Sequence, residues 1–212
     1  MPDKLRKVFY GLLRDEFAPK LRELGFKGSG SNFRRIRGEV INTINIQGNK
    51  YGGSLTVNLG LHLTFLPVNW KDQLPDTKKI KEIDCEFRNR LAPKGKHDYW
   101  WKYETLFKSP PKQVSHLIDT YLGVGEPAFS KYDTVEKVAN MISIEEIFAD
   151  NYIKAFGGIT EVRAALTMAR IHQHLGDFDL ARAFATAGIA NLGRATVLEP
   201  QFREVLARIQ CE

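Results

Sequence analysis

The segment from Leu55 to Phe65 alternates apolar and polar side chains without a break, reading Leu-Thr-Val-Asn-Leu-Gly-Leu-His-Leu-Thr-Phe. Successive side chains of a β-strand point to opposite faces, so this alternation predicts a strand with one buried and one solvent-facing side. One-sided strands of this kind are typical of antiparallel sheets. The pattern therefore commits the first half of the chain to a two-faced antiparallel sheet.

The residues just before this segment predict its hairpin partner, a strand over 39–49 joined to it by a four-residue loop over 50–53. Pairing Asn49 with Ser54 sets the register, because it brings the apolar residues of both strands onto one face. The predicted pairs are Val40–Leu63, Ile44–Leu59 and Ile46–Val57 on the apolar face, and Ile41–His62, Asn45–Asn58 and Gln47–Thr56 on the polar face.

Apolar residues at helical spacing predict a broken amphipathic helix over 5–24, with a second turn beginning near Pro19. The glycine- and serine-rich residues 28–31 predict a flexible linker. A further strand is predicted over 85–91 and a helix over 111–122. The expected core packs one sheet row against the first helix, and its members are Ile44, Ile46, Leu55, Val57, Leu59, Leu61 and Leu63 against Phe9, Leu12, Leu13 and Leu24.

The pattern from Thr134 onward is helical throughout, with helices predicted over 135–141, 143–156, 160–175, 178–192 and 200–209. Ser143 with Glu146 forms a capping-box signature, and Thr160 is expected to cap the following helix. Residues 165–181 resemble one tetratricopeptide hairpin, but a solenoid needs about three such units, so we interpret the region as a small helical bundle. The predicted class is α+β, with a sheet domain over 1–125 and a helical region over 126–212.

The net charge of +6 is unevenly distributed along the chain. Residues 1–125 carry 22 Lys and Arg against 13 Asp and Glu, whereas residues 126–212 carry 9 against 12. No apolar run approaches the ~20 residues of a membrane helix. The first residues lack the apolar core of a signal peptide. Two cysteines far apart in the sequence suit a reducing compartment. We expect a cytoplasmic protein without membrane association.

Several short motifs occur in a characteristic order: Leu24 to Lys27, Asn32-Phe33, Ile44 to Gln47, Val57 to Gly60, Cys85 to Leu91 and Trp100-Trp101. Together they resemble an uncharacterised bacterial family, domain of unknown function 4304, over about residues 5–125. The resemblance implies a fold and a boundary but no reaction, ligand or catalytic residue. Some small bacterial domains of this sort bind other proteins, which is an analogy only.

The polar sheet face is rich in amides and hydroxyls, and arginines of the 85–91 strand would join it if that strand extends the same sheet. Amides and guanidinium groups offer directional hydrogen bonds to an anionic or peptide-like ligand. With the aromatic and basic segment that follows, the candidate binding residues are Asn45, Gln47, Asn58, His62, Arg88, Arg90, Trp100, Trp101 and Lys102. The alternative is a solvated face on which Arg88 and Arg90 pair with structural acids.

The segment around Trp100 and Trp101 also permits nucleic-acid binding, because aromatic rings between cations can stack bases while neutralising phosphates. Lys94, Lys96 and Lys102 supply the cations. Adjacent tryptophans in an extended segment point in opposite directions, so one of the two is expected in the core. No fingerprint of a known RNA- or DNA-binding module occurs in the sequence.

Catalytic motifs are absent from the sequence: it has no nucleophile elbow, Walker loop or dinucleotide-binding glycine motif. Cys85 falls in the apolar row of its predicted strand, where a cysteine is expected to be an inert core residue. The side chains of His172 and His174 diverge by about 200° on a helix, which prevents them from sharing a metal ion. Glu82, Asp84 and Glu86 stand at alternate positions and could line a cation site, but the basic residues nearby favour an ion-pair network. Those residues are Lys81, Arg88 and Arg90. We assign no catalytic residue, metal or cofactor.

The sequence thus favours a non-enzymatic binding module that recognises a protein partner through its polar sheet face and basic aromatic segment. The alternatives are a nucleic-acid-binding protein and a hydrolase- or nuclease-like enzyme whose site is assembled from distant residues.

Overall fold

A computed structural model of the protein describes residues 2–68, 73–103, 109–149 and 159–209. These residues form an α+β fold around one antiparallel sheet, as predicted. The strands are β1 (Lys27–Ser29), β2 (Asn32–Arg37), β3 (Val40–Gly48), β4 (Ser54–Leu63), β5 (Phe87–Arg90) and β6 (Trp101–Lys102). Strands β1 to β5 lie side by side in chain order, while β6 pairs with the start of β4.

The first four helices pack as two continuous helical segments. They are α1 (Pro2–Leu12) with α2 (Ala18–Glu23), and α3 (Pro110–Thr120) with α4 (Glu126–Lys131). A π-helical turn joins the members of each pair, at Leu13–Phe17 and at Tyr121–Gly125. The later helices are α5 (Val135–Ala139), α6 (Ile144–Ile147), α7 (Glu161–His174), α8 (Phe178–Ala190) and α9 (Glu199–Ile209).

The predicted register of the central hairpin is confirmed, with Ile44 opposite Leu59 and Asn45 opposite Asn58. The apolar row is buried, and Phe9 and Leu13 of the first helical segment belong to the same core. Leu12 and Leu24 pack against that core while partly exposed. The predicted 85–91 strand is present as β5, and it extends the sheet beyond β4.

The prediction of a flexible linker over the glycine- and serine-rich residues 28–31 is wrong, because residues 27–29 form β1 and pair with β2. Gly28 has a φ of 134°, and a Cβ atom there would collide with the carbonyl oxygen of Asn32. The strand therefore depends on a residue without a side chain at this close approach. Its three residues carry no apolar alternation, which is why the sequence pattern did not reveal it.

The helix does not end at Gly123 or Gly125, because α3 runs through a π turn into α4. Pro127 lies two residues after this π turn, in the first turn of α4. The division into two domains near residue 125 stays a prediction. Buried side chains from both sides of that position belong to one continuous core cluster.

The helices after residue 134 begin close to the positions that the sequence predicts. Ser143 and Glu146 form the predicted capping box of α6, but the helix ends at Ile147 with Phe148 in the C-cap position. The predicted extent to residue 156 is therefore wrong at 148–149, and residues 150–156 lie outside the described residues. Thr160 occupies the cap position of α7 without a side-chain hydrogen bond. Helices α7, α8 and α9 pack on one another, and the ring of Phe202 lies directly over Gly188.

Candidate functional site

A row of polar side chains crosses four strands on the sheet face opposite the first helices. It consists of Asn32, Asn45, Asn58 and Arg90, which lie directly opposite one another in the strand register. The Asn45 amide donates to Asn32 Oδ1 at 3.0 Å, and the Asn58 amide donates to Asn45 Oδ1 at 3.3 Å. Arg90 Nε donates to Asn58 Oδ1 at 3.4 Å, which completes a ladder that we call the polar row.

Three further candidates border the polar row. Exposed Gln47 accepts a hydrogen bond from the Asn58 amide at 2.8 Å, so its side chain is tied to the row. The Trp100 ring stacks on the Arg90 guanidinium, with 5.3 Å from the guanidinium carbon to the ring centroid. Lys102 is exposed and lies opposite Ser54. The sheet thus brings amides, a cation and an aromatic ring together on one surface.

The other end of the same face is covered, which corrects the expectation of a fully solvent-exposed polar face. Thr43 and His62 are 0% exposed, and Cys85 lies against Thr43 with 3.3 Å between Oγ1 and Sγ. The segment that includes Ile80 and Cys85 packs over Ile41 of β3. Around the polar row, Asn32, Asn45 and Arg90 are partly exposed and Gln47 is exposed, whereas Asn58 is 8% exposed.

His62 is therefore a buried structural residue instead of a surface contact. The backbone N–H of Glu86 donates to His62 Nδ1, so the ring proton lies on Nε2 and is donated to the Leu66 carbonyl. Burial lowers the pKa of His62, and this effect exceeds the opposing influence of Glu86 and Asp84. The histidine holds the neutral form that both hydrogen bonds require.

Trp101 is also removed from the candidate surface, and Arg88 is held in an ion pair. Trp101 is buried in the core, where its indole N–H donates to His116 Nδ1 at 3.1 Å. Trp100 points to the other side, as the prediction of opposite directions requires. Arg88 forms an ion pair with the buried carboxylate of Glu82.

Arg90 is likewise paired, with 3.0 Å between its Nη1 atom and Asp98 Oδ1. Both β5 arginines therefore have acidic partners, as the alternative of a solvated structural face anticipated. The pairs differ in accessibility, because Glu82 is buried whereas the Asp98 side chain is 55% exposed. A partner could compete with Asp98 for Arg90 at a much lower cost than with Glu82 for Arg88.

Tyr51 is a surface residue that the sequence analysis did not include among the candidates. It lies at the tip of the β3–β4 hairpin and is 85% exposed, with the Lys50 ammonium 4.7 Å from its ring centroid. Its backbone N–H donates to Asn49 Oδ1, which orders the loop. The available signal was an aromatic residue in a glycine-containing hairpin loop, where it has no core to fill.

The groups with nucleophilic or metal-binding character are held in structural contacts. Burial raises the pKa of the Cys85 thiol, which disfavours the reactive thiolate. His172 stacks on Phe184, whereas His174 stacks on Phe65, so the two rings have separate surroundings. In the part of the chain that the structure describes, no three His, Cys, Asp or Glu side chains are grouped suitably for a metal ion.

Two cavities lie at the border of the sheet. One, of about 1010 Å³, lies between the residues that follow β4 and helices α7 and α9, with Phe65, Arg170 and Val205 in its wall. The other, of about 210 Å³, lies beside β5 and is lined by Arg90, Lys96 and Val124 among others. Arg90 therefore borders both the polar row and the smaller cavity.

Comparison with known proteins identifies one family. The model of the family described as Domain of unknown function (DUF4304) matches residues 17–130. The matched segment runs from the end of the first π turn to α4 and contains all six strands. No curated protein and no solved structure matches the chain. Among the described residues, none of the helices has both the length and the apolar character that a membrane crossing requires.

Proposed function

Because this chain belongs to the family described as Domain of unknown function (DUF4304), whose description assigns no activity, we propose from its own structure that it is a non-enzymatic module that binds a protein partner. The contact surface comprises the polar row with Gln47, Trp100 and Lys102, extended by Tyr51 at the hairpin tip. The proposed setting is the cytoplasm, in keeping with the reducing environment that two cysteines far apart in the sequence suit.

The observation that carries this proposal is the hydrogen-bonded ladder from Asn32 to Arg90. Its amides are fixed by one another, so they lose little side-chain entropy when a partner binds. Trp100 and Tyr51 are aromatic residues of the kind that dominate binding energy at protein interfaces. The surface thus combines fixed polar groups with aromatic anchors, as protein contact sites do.

The charge distribution favours an acidic partner surface. Most of the positive charge belongs to the first 125 residues, and Lys102 and Arg90 place part of it on the proposed contact surface. Opposite charge on a partner would accelerate association and align the two surfaces. An acidic residue of the partner could take the place of Asp98 at Arg90.

The test is affinity purification at low salt from cells that produce the protein, comparing the unaltered chain with Trp100→Ala, Lys102→Ala and Tyr51→Ala. Lys20→Ala is the matched control, because Lys20 is an exposed lysine on α2 in the helical layer. We expect one stoichiometric protein to bind the unaltered chain and the control, with at least fivefold less bound to the surface variants. Equal capture by all variants, or no specific protein, would contradict the proposal.

Nucleic-acid binding is the second candidate, and the stacking of Trp100 on Arg90 beside exposed Lys94, Lys96 and Lys102 is the observation that favours it. Absorbance of the same eluate at the nucleic-acid maximum distinguishes the two candidates. Nucleic acid that is retained without a specific protein, and that is released as salt rises, would replace the first proposal with the second.

A further inference from the structure

The smaller cavity, of about 210 Å³, opens at the edge of the sheet between β5 and the helical segment that leads into α4. Asn89 and Arg90 of β5 form one wall, and Val124 and Ala128 form the facing wall. Lys96 and His97, from the loop that follows β5, complete the lining. The cavity therefore lies where a strand edge, a helix and a loop meet, which is a common setting for a ligand site.

The lining separates into an apolar and a basic part. Leu59, Leu91, Val124 and Ala128 provide the apolar surface. Arg90, Lys96 and His97 provide nitrogen donors, and Lys96 is exposed at the loop. A ligand that fits both parts has an apolar body and one group that accepts hydrogen bonds from cations.

The charge near the cavity favours a single negative charge on the ligand. Arg90 is already paired with Asp98, whose carboxylate is not part of the lining, so Lys96 provides the charge that this acid does not offset. The uncompensated charge of Lys96 would repel a cationic ligand. A doubly charged phosphate would lose more hydration against the apolar surface than one uncompensated lysine can replace.

We propose that this cavity binds an aliphatic carboxylate, with the carboxylate at Lys96 and Arg90 and the hydrocarbon part against Val124 and Ala128. This chemistry can come from a free short-chain acid or from the C-terminal residue of a peptide. The site does not depend on the proposed protein partner, because its lining comes from the strand edge and the helix beside it, and it shares only Arg90 with the polar row.

The first measurement titrates hexanoate into the full chain and follows backbone amide chemical shifts, with hexanamide as the uncharged probe of equal length. We expect the largest shifts at residues 89–97 and 124–128, and affinity for hexanoate at least fivefold above that for hexanamide. Affinity should rise by about fourfold per added methylene from butanoate to hexanoate. Equal binding of acid and amide, shifts confined to other regions, or no binding would overturn the proposal.

Two variants locate the site. Lys96→Gln removes the charge while keeping much of the side-chain length, and should weaken hexanoate binding about fivefold. Lys94→Gln is the matched control, because Lys94 is an exposed lysine of the same loop that does not line the cavity. Ala128→Leu fills the cavity and should abolish binding while the thermal midpoint stays the same or rises.

Titrations with N-acetyl-leucine and its amide distinguish a peptide C-terminus from a free short-chain acid as the natural ligand. Tighter binding of N-acetyl-leucine than of hexanoate assigns the site to peptide C-termini, whereas the reverse order assigns it to free short-chain acids. Either order supports the carboxylate site if the corresponding amide binds at least fivefold more weakly. Unchanged hexanoate affinity in both Lys96→Gln and Ala128→Leu would overturn it.

Discussion

At the residue scale, Leu59 tests the packing of the sheet on the first helices. It is 3% exposed and lies opposite Ile44 in the middle of the apolar row. Leu59→Ala removes buried methyl and methylene groups and leaves a cavity, so we expect the free energy of unfolding to fall by about 2–5 kcal/mol. Chemical denaturation measures this change.

Leu74→Ala is the matched control for this substitution, since Leu74 is 64% exposed and loses little contact with other residues on truncation. Its effect should stay within about 0.5 kcal/mol. A loss below about 1 kcal/mol for Leu59→Ala would contradict the burial of the apolar row.

His62 gives the stability of the protein a defined dependence on pH. Burial lowers its pKa in the folded protein, so below the unfolded value of about 6.5 the unfolded chain binds a proton that the folded chain does not. The stability contribution is therefore present at neutral pH and is lost as the solution becomes acidic. The groups facing the ring are Glu86 and Asp84, which oppose the shift, and Arg163, which adds to it.

The measurement for His62 is the free energy of unfolding at several values between about pH 8 and pH 5. His62→Gln should be less stable at neutral pH, because Gln cannot reproduce both ring hydrogen bonds. Its stability should fall less steeply with acidification than that of the unaltered chain. Parallel pH profiles for the two proteins would show that His62 does not contribute as described.

The residue scale also shows how far the candidate site could be predicted. Asn45, Gln47 and Asn58 lie together as the strand register requires, because a period of two assigns each side chain to a face. That period does not reveal what covers a face. His62 and Arg88 were placed on an open surface because the sequence pattern does not reveal their partners. Leu66 lies in an irregular segment, and Glu82 lies in a single 3-10 turn, which is too short to show a period.

At the element scale, β1 depends on Gly28, and this dependence is testable. Gly28→Ala places a Cβ atom against the Asn32 carbonyl at a φ of 134°, which L-residues rarely adopt. We expect a loss of about 1–3 kcal/mol if β1 is retained, or separation of β1 from β2. Hydrogen exchange at residues 27–34 distinguishes these outcomes, since separation would accelerate exchange there.

Gly123→Ala is the control for Gly28→Ala, because nothing lies within 4 Å of the position that its Cβ would occupy. It lies in a helical turn, where Ala is preferred over Gly, so stability should stay the same or rise by about 1 kcal/mol. Equal effects of the two substitutions would contradict the close approach described for β1.

Elements with a sustained period were predictable, and those defined by one or two turns were not. The β3–β4 register followed from the alternation and the length of the hairpin loop. The π turns at 13–17 and 121–125 insert one residue into a helix without changing its composition, so the apolar spacing alone does not reveal them.

At the scale of the whole molecule, ion pairs of Arg35 in β2 and of Glu86 just before β5 join this part of the chain to helices after residue 125. Arg35 is buried and bonds to Glu126 at 2.7 Å, while its guanidinium packs against the ring of Phe26. Arg163 of α7 donates to Glu86 at 2.9 Å. The paired residues are at least 77 positions apart in the sequence. Local sequence patterns could not predict these contacts, because they depend on how distant strands and helices pack together.

Removing Arg163 tests whether the sheet and the later helices stabilise each other. The Glu86 side chain is 3% exposed, so Arg163→Met leaves a buried carboxylate without its cation and should cost about 3 kcal/mol. Adding Glu86→Gln to Arg163→Met should recover part of this loss. Arg182→Met is the control, because Arg182 pairs with the exposed Asp179 on α8 and should change stability by at most about 1 kcal/mol.

The unfolding of Arg163→Met is best followed with two probes that report on different parts of the chain. All three tryptophans lie within the first 125 residues, so their fluorescence reports on the sheet half, whereas far-ultraviolet circular dichroism is weighted toward the helices. Because the described core is continuous, we expect both transitions to coincide in the unaltered chain and to move together in the variant. Helical signal lost before tryptophan fluorescence would instead show that the region after residue 125 unfolds as a separate unit.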